Sequence, residues 1–378
     1  MDEVYISAVN LLKTIIGSGI LYFPMLFGIY GPLAATLFTI VSGFFAIISL
    51  RLLTHMNRIW GDRKSTLSSM SLKTVPSLRI VIDICVFFKC WNVSSSYLII
   101  AGHLLPKVIY SAFYVNVSSR WLLFLFLLLI SPLTFFKKLK HLKYTSFLGV
   151  LSIVFVVSVS VAKLILHKEM LYGIKYVKPI SKDWLKGLGT FIFACTCQQN
   201  IISIHNELNN QSKIKNVIYM SISTGIVLYI LFGFCNWILF YNFLFDNVLQ
   251  NYPDTTLTNI IRILYIIVLG VSYPLQINPC RTHLINCFKL NHSSLTTHIL
   301  ITVGLLSSTF FLAISGVELG EIYAFTGATA STFIALILPS LFYLSQRKIK
   351  DPIYTVFSFI LLISGILVFS SAILKIIL

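Results

Sequence analysis

The sequence predicts an all-α polytopic membrane protein of about eleven transmembrane helices, and three observations predict it. Of its 378 residues, 57% are hydrophobic and 11% are charged, a charged share less than half that of soluble domains. The apolar residues fall in blocks of about 20, the length that crosses roughly 30 Å of hydrocarbon. The polar intervals are too short to build a second folded unit, so residues 1–378 read as one transmembrane domain. The net charge of +17 does not gather on one basic face, which argues against a nucleic-acid partner. The cations sit between the apolar blocks, where positive-inside topology puts them.

The first span, 4–30, contains Asn10-Leu-Leu-Lys-Thr-Ile-Ile-Gly-Ser-Gly-Ile-Leu-Tyr-Phe-Pro24. Gly17, Ser18 and Gly19 are weak helix formers, and Pro24 lacks a backbone donor. In hydrocarbon a broken backbone is tolerated only against protein, water or ligand. Two readings stand on these residues alone: a helix kinked for close glycine packing, or a binding element interrupted at mid-depth.

Span two is 33–54, after the Gly31-Pro32 turn, and the polar interval 55–77 follows it. Span three, 80–104, carries Asp83, Lys89, Asn92 and the run Ser94 to Tyr97. Asp83 and Lys89 are costly in lipid and so should face the bundle; six residues apart, they do not share a helical face. Spans four and five are 120–136 and 143–166, joined by the basic run 137–143. Span six is 184–206 and holds Cys195 through Asn200, a polar run at the depth of hydrocarbon, where unpartnered amides cost several kcal/mol. Span seven is 216–242. Span eight, 258–279, leads into Arg281, expected at its cytosolic end, and contains Ser272-Tyr-Pro-Leu-Gln276. Spans nine, ten and eleven are 296–314, 320–344 and 353–377, with Glu318 and Glu321 in a solvated loop before span ten.

Lys and Arg are more numerous in the intervals that include 51–79 and 137–143 than in the alternate ones, which puts the N-terminus in the cytosol. The lysines of 167–182 run against that bias. Asn116-Val-Ser118 is a sequon in an outer loop; Asn210-Gln-Ser212 and Asn291-His-Ser293 fall on the cytosolic side. No signal peptide precedes the first span. The seven cysteines lie in or beside spans and form no disulfide framework. Neither they nor the eight histidines have metal-site or catalytic-triad spacing. No metal, cofactor or enzymatic activity is expected.

Spans one and six, both interrupted, are five spans apart, the spacing of two inverted five-helix units. The first unit is then about 4–166, the second about 184–344, and 353–377 is an extra helix.

Over nearly its whole length the chain resembles the amino acid/auxin permease family, which includes neutral and vacuolar amino-acid transporters. The resemblance rests on Asn10 to Leu21 with Pro24, Ser96 to Pro106, Lys137 to Ser146, Phe193 to Asn200 with Ile204 to Leu208, and Ser272 to Leu275 with Pro279 to Arg281. It implies a LeuT-like fold of five plus five inverted helices plus one, and carriage of amino acids by alternating access. The implied substrate residues are Gly17, Ser18, Gly19 and Ile20 at the first break and Cys195, Thr196, Gln198 and Gln199 at the second. The freed N–H groups of span one suit a carboxylate, and the unwound carbonyls of span six suit an ammonium group.

Two departures matter. Lys13 stands where sodium-coupled relatives usually have Asn, so its ammonium either replaces a bound sodium or snorkels toward the cytosolic surface. Gln198-Gln199 stands where many relatives have His-Pro. Asn10, Lys13 and Ser272 are the ion-coupling candidates. The expected function is transport of neutral L-amino acids across a plasma or vacuolar-type membrane, sodium-independent or proton-coupled. An amino-acid receptor of transporter fold is the alternative.

Overall fold

The computed structural model describes residues 3–60, 65–136, 143–172, 176–179, 184–241, 243–291, 294–346 and 351–377. Arg63, Lys64, most of the basic run (137–142), Lys175, Lys182, residues 347–350 and the sequon residues 292–293 lie outside them.

The secondary structure of the described residues is helical, with no strand among them. The first span is the bent pair expected from Gly17-Ser18-Gly19. Helix α1 (Glu3–Ile15) stops, a 3-10 turn runs over Ser18–Tyr22 into α2 (Phe23–Tyr30), and the segment Ser18–Tyr30 lies at 48° to α1. Pro24 falls in the first turn of α2, where its missing N–H leaves no helical bond unmade. Gly31 follows with φ +77°, a left-handed conformation that glycine alone adopts without strain, and turns the chain into α3 (Pro32–Trp60).

The short α4 (Leu67–Thr74), capped by Thr66, precedes the 35-residue α5 (Arg79–Phe113). Helices α6 (Ser119–Thr134) and α7 (Lys143–Leu166) complete the first half. The sixth span is again two pieces, α8 (Trp184–Ala194) and α9 (Gln198–Glu207). Next come α10 (Ile214–Leu239), α11 (Thr256–Cys287) and α12 (Leu295–Ile314). Span ten runs from α13 (Leu319–Thr326) through π-helical turns at Gly327–Ser331 and Phe333–Ile337 into α14 (Leu338–Leu344), and α15 (Pro352–Ile377) ends the chain.

Among the described residues, eight helices are long and apolar enough to cross a membrane, and the bent pair makes nine. The other two expected spans are the 16-residue α6 and the interrupted pair α8–α9, each too short as a single helix to pass on length.

Packing sorts the helices into two groups. Helix α11 lies along α5, with α6 and α12 beside them; the broken pairs α1–α2 and α8–α9 pack with α3 and α10. Helix α5 is a central element, with 72% of its most apolar stretch buried, whereas α15 is peripheral at 17%. Outward-facing Leu37, Leu129, Leu300 and Leu367 leave an apolar surface suited to acyl chains.

The buried charges face inward and are bonded. Asp83 accepts from the Ser68 hydroxyl at 2.8 Å and pairs with His283 Nδ1 at 2.6 Å, which ties α4 and α11 to α5. Arg281 is buried rather than lying at the helix end; it donates to Thr134 O and Thr302 Oγ1, joining α6, α11 and α12. Arg262, with no exposed surface, holds the loop before α11 through Asp254 and the carbonyls of Leu249 and Tyr252.

Candidate functional site

The interruptions of spans one and six meet at the centre of the molecule, and side chains from three other helices satisfy their backbone. Gly17 N turns back to Ile15 O at 3.0 Å. The Tyr229 hydroxyl on α10 donates to Ile15 O at 2.8 Å and to Ala194 O at 3.3 Å, so one group serves both breaks. Tyr265 of α11 donates to Gly17 O at 3.4 Å. Ser18 shares a hydrogen bond of 2.9 Å with Ser96 of α5. Lys89, also on α5, donates from Nζ to Thr196 O at 2.7 Å and to Gln199 Oε1 at 2.9 Å. An ammonium therefore does take an unwound carbonyl of span six, and it is the protein's own.

A cavity of about 320 Å³ leads to this point from the end of the bundle that carries the N-terminus. Its walls include Asn10, Lys13 and Thr14 of α1, Gln199, Asn200, Ser203 and Glu207 of α9, and Tyr97, Ser272 and Gln276. It narrows to a space of about 30 Å³ against Gly17, Ser18, Gly19, Lys89, Phe193, Thr196, Gln199 and Tyr229. That space is large enough for a water molecule and too small for an amino acid. A third recess of about 10 Å³ reaches between Lys13, Ser18, Ile153, Tyr265 and Ser272.

The opposite side is shut by aromatic rings. Phe193 stacks on Tyr323 with centroids 5.0 Å apart, Tyr22 meets Tyr323 edge-on at 6.1 Å, and Phe23 stacks on Tyr229 at 4.1 Å. All are buried. The molecule is thus open toward its N-terminal end and closed toward the other.

Of the residues singled out in the sequence, Gly17, Ser18, Gly19, Thr196 and Gln199 line the inner space, and Asn10, Lys13 and Ser272 line the approach to it. Ile20 and Cys195 are buried off the cavity, and Gln198 turns away to donate to Ser49 on α3 at 3.2 Å. The start of α9 decides between the two glutamines: a helical step of about 100° sends one to α3 and the other to the cavity. Lys89, Tyr97, Tyr229 and Gln276 line the inner space as well, beyond the residues that the sequence marks. A tyrosine in the middle of an apolar span carries a polar tip that needs a partner, and for Tyr229 that was the available signal.

The electrostatics of the lining are lopsided. Lys13 lines the approach and the third recess, Lys89 lines the inner space, and among the described lining residues the one carboxylate is Glu207 at the mouth. No group of three His, Cys, Asp or Glu side chains among the described residues is placed to hold a metal ion.

Two interrupted helices that meet inside the bundle, braced by long neighbouring helices, define an all-helical membrane protein of LeuT-like fold. The same fold is found in the crystal structure of MhsT in complex with L-phenylalanine (TM-score 0.68, 14% identity, 97% of this chain and 98% of that one). It is found also in Mhp1, a nucleobase-cation-symport-1 family transporter, closed with bromovinylhydantoin bound (TM-score 0.65, 11% identity, 98% and 90%). Residues 2–378 match the transmembrane amino acid transporter protein family, and the chain belongs to it. Vacuolar amino acid transporter 5 of Schizosaccharomyces pombe is 31% identical over 362 residues, covering 92% of this chain and 85% of the relative. Vacuolar amino acid transporter 6 of Saccharomyces cerevisiae is 26% identical over 397 residues, covering 88% of each. The protein is an amino acid transmembrane transporter and not an enzyme.

Proposed function

We propose that this transporter is a secondary carrier of neutral L-amino acids that works by alternating access without sodium, in a vacuolar-type membrane, with its N-terminus in the cytosol. The observation that carries the reading is the meeting of both interruptions at the blind end of one cavity. The substrate carboxylate lies against the first N–H groups of the turn at Ser18, which begin a helix and lack helical partners. Gly17 and Gly19 let it approach the backbone, and Thr196 and Gln199 form the facing wall. Ile20, Cys195 and Gln198 support the wall from behind. Ile15, Val93 and the Phe193 ring give the inner space its apolar part, and its polar part, Thr14, Lys89 and Gln276, includes no carboxylate among the described lining residues, which supports an uncharged rather than a cationic side chain.

Alternating access follows from the two helix groups. The broken pairs with α3 and α10 move against α5, α6, α11 and α12, the Phe193–Tyr323 lid parts, and the cavity at the N-terminal end closes. Units 4–166 and 184–344 act as inverted repeats, each opening on a broken span, with 353–377 appended. The Lys13 side chain supports independence from sodium, because it reaches between spans one, five and eight beside Ser272 and brings a positive charge of its own. A proton gradient is then the driving force. The names of the fungal relatives support the vacuolar location.

The test is uptake of a labelled amino-acid panel into proteoliposomes with sodium and proton gradients imposed separately. Neutral amino acids accumulate when protons are driven across and are indifferent to sodium. Uptake that follows external sodium, or a preference for charged amino acids over alanine and leucine, would overturn the reading.

A further inference from the structure

Lys89 is 4% exposed in the first third of α5, yet its hydrogen-bond partners, Thr196 O and Gln199 Oε1, are both neutral. No carboxylate pairs with it among the described residues; Asp83 on the same helix is engaged by Ser68 and His283. A buried ammonium without an anion is costly, and a lysine has three donors. Two are used, and the side chain lines the same narrow space as Gly17, Ser18 and Gly19.

We propose that Lys89 is the counter-charge for the substrate's carboxylate, its third N–H being the donor left for it in the space that Gly17, Ser18 and Gly19 line. This deepens the reading of the site as an amino-acid site and rests on it. The two anchoring bonds fix the ammonium's position before the substrate arrives, so little ordering is left to be done on binding. Since α5 belongs to one helix group and Thr196 and Gln199 to the other, the carboxylate sits on the seam along which the groups move. Lys89 is a specificity-determining residue: it selects for a carboxylate, not for a side chain.

The experiment measures binding of L-leucine, L-alanine and their carboxamides to the purified full-length protein, wild type and Lys89→Gln, Lys89→Met and Lys89→Arg. In the wild type the acids bind at least about tenfold more tightly than the amides, the size of one charge-assisted contact. Lys89→Gln and Lys89→Met lose most of that ratio by weakening the acids while the amides hold. Lys89→Arg, which keeps the charge, keeps part of the ratio. Folding is checked by size-exclusion profile and ligand-free thermal midpoint. Equal weakening of acids and amides makes Lys89 a structural brace of span six and overturns the proposal, as does an unchanged ratio. If the wild type binds neither acid, the neutral amino-acid reading fails first and takes this one with it; if it binds both and the ratio ignores Lys89, only this one fails.

Discussion

The Tyr229 hydroxyl donates to the main-chain oxygen of Ile15 at 2.8 Å, across 214 residues of sequence. It also reaches Ala194 O at 3.3 Å, so the ends of α1 and α8 are held by one phenol. Removing it takes a donor from Ala194 O and leaves Ile15 O with the Gly17 N–H alone, which costs about 1–3 kcal/mol. Tyr229→Phe, which keeps the ring stacked on Phe23, is expected to lower the thermal midpoint in detergent and to slow transport more than it weakens substrate binding. The measurement is maximal uptake rate against binding affinity; equal effects on both, or none, would count against a bracing role.

How far the sequence led depends on whether the cause was local. The break in span one was legible because glycine, serine and proline act through their own backbones, and the structure bends where Gly17 and Pro24 say it should. The polar run in span six was legible as an interruption. Which of its side chains face the cavity was not, because Gln198 and Gln199 differ only in the rotation that α3 and α5 impose. Lys89 reads in the sequence as a bare charge in a span; its partner Thr196 is 107 residues away. The π-helical turns of span ten have no sequence signature either. They arise in a segment packed against Gly189 of α8, and the Thr332 hydroxyl donates to Gly327 O five residues back.

That glycine contact makes its own prediction. A Cβ on Gly327 would lie 2.0 Å from the carbonyl oxygen of Gly189, which is main chain and cannot swing aside. Gly327→Ala should cost about 1–3 kcal/mol by forcing α8 and span ten apart. Gly304, on α12, has nothing within 4 Å of an added Cβ, and Gly304→Ala should be neutral or stabilise by about 0.5–1 kcal/mol. Thermal unfolding of the two variants in parallel separates a packing effect from a general intolerance of alanine; similar midpoints would refute the contact argument.

Asp246 lies in the loop after α10 and accepts the Gly320 N–H at 2.8 Å, closing the side opposite the cavity. Burial raises its pKa above the ordinary 3.8, the Gly320 bond opposes that, and Glu318 and Glu321 raise it further. A carboxyl with a raised folded-state pKa keeps its proton longer in the native state than in the unfolded one. Its contribution to stability is therefore full below pH 3.8 and is lost as pH rises through the folded value. Asp246→Asn keeps an acceptor oxygen and removes the titration. The difference in thermal midpoint, Asn variant minus wild type, should grow as pH rises above 3.8 and then level off; a difference that shrinks with rising pH would reverse the assignment.

Lys13 provides the sharpest test of coupling. Its side chain lies across Gly149 of α7, where an added Cβ would meet Lys13 Cε at 2.6 Å and Nζ at 2.8 Å. These atoms are the far end of a flexible side chain, so Gly149→Ala should fold and displace the ammonium from the recess it shares with Ser272. Lys13→Asn removes the charge altogether. If the ammonium stands in for a cation, Lys13→Asn loses uptake in sodium-free buffer and regains part of it when sodium is added, whereas Gly149→Ala is slowed by about tenfold and does not respond to sodium, because the displaced charge still repels it. Proteoliposome uptake with and without sodium reads both. Wild-type rates in Lys13→Asn would mean that the side chain merely passes through the recess toward the membrane surface, and the reason for sodium independence would then lie elsewhere in the site.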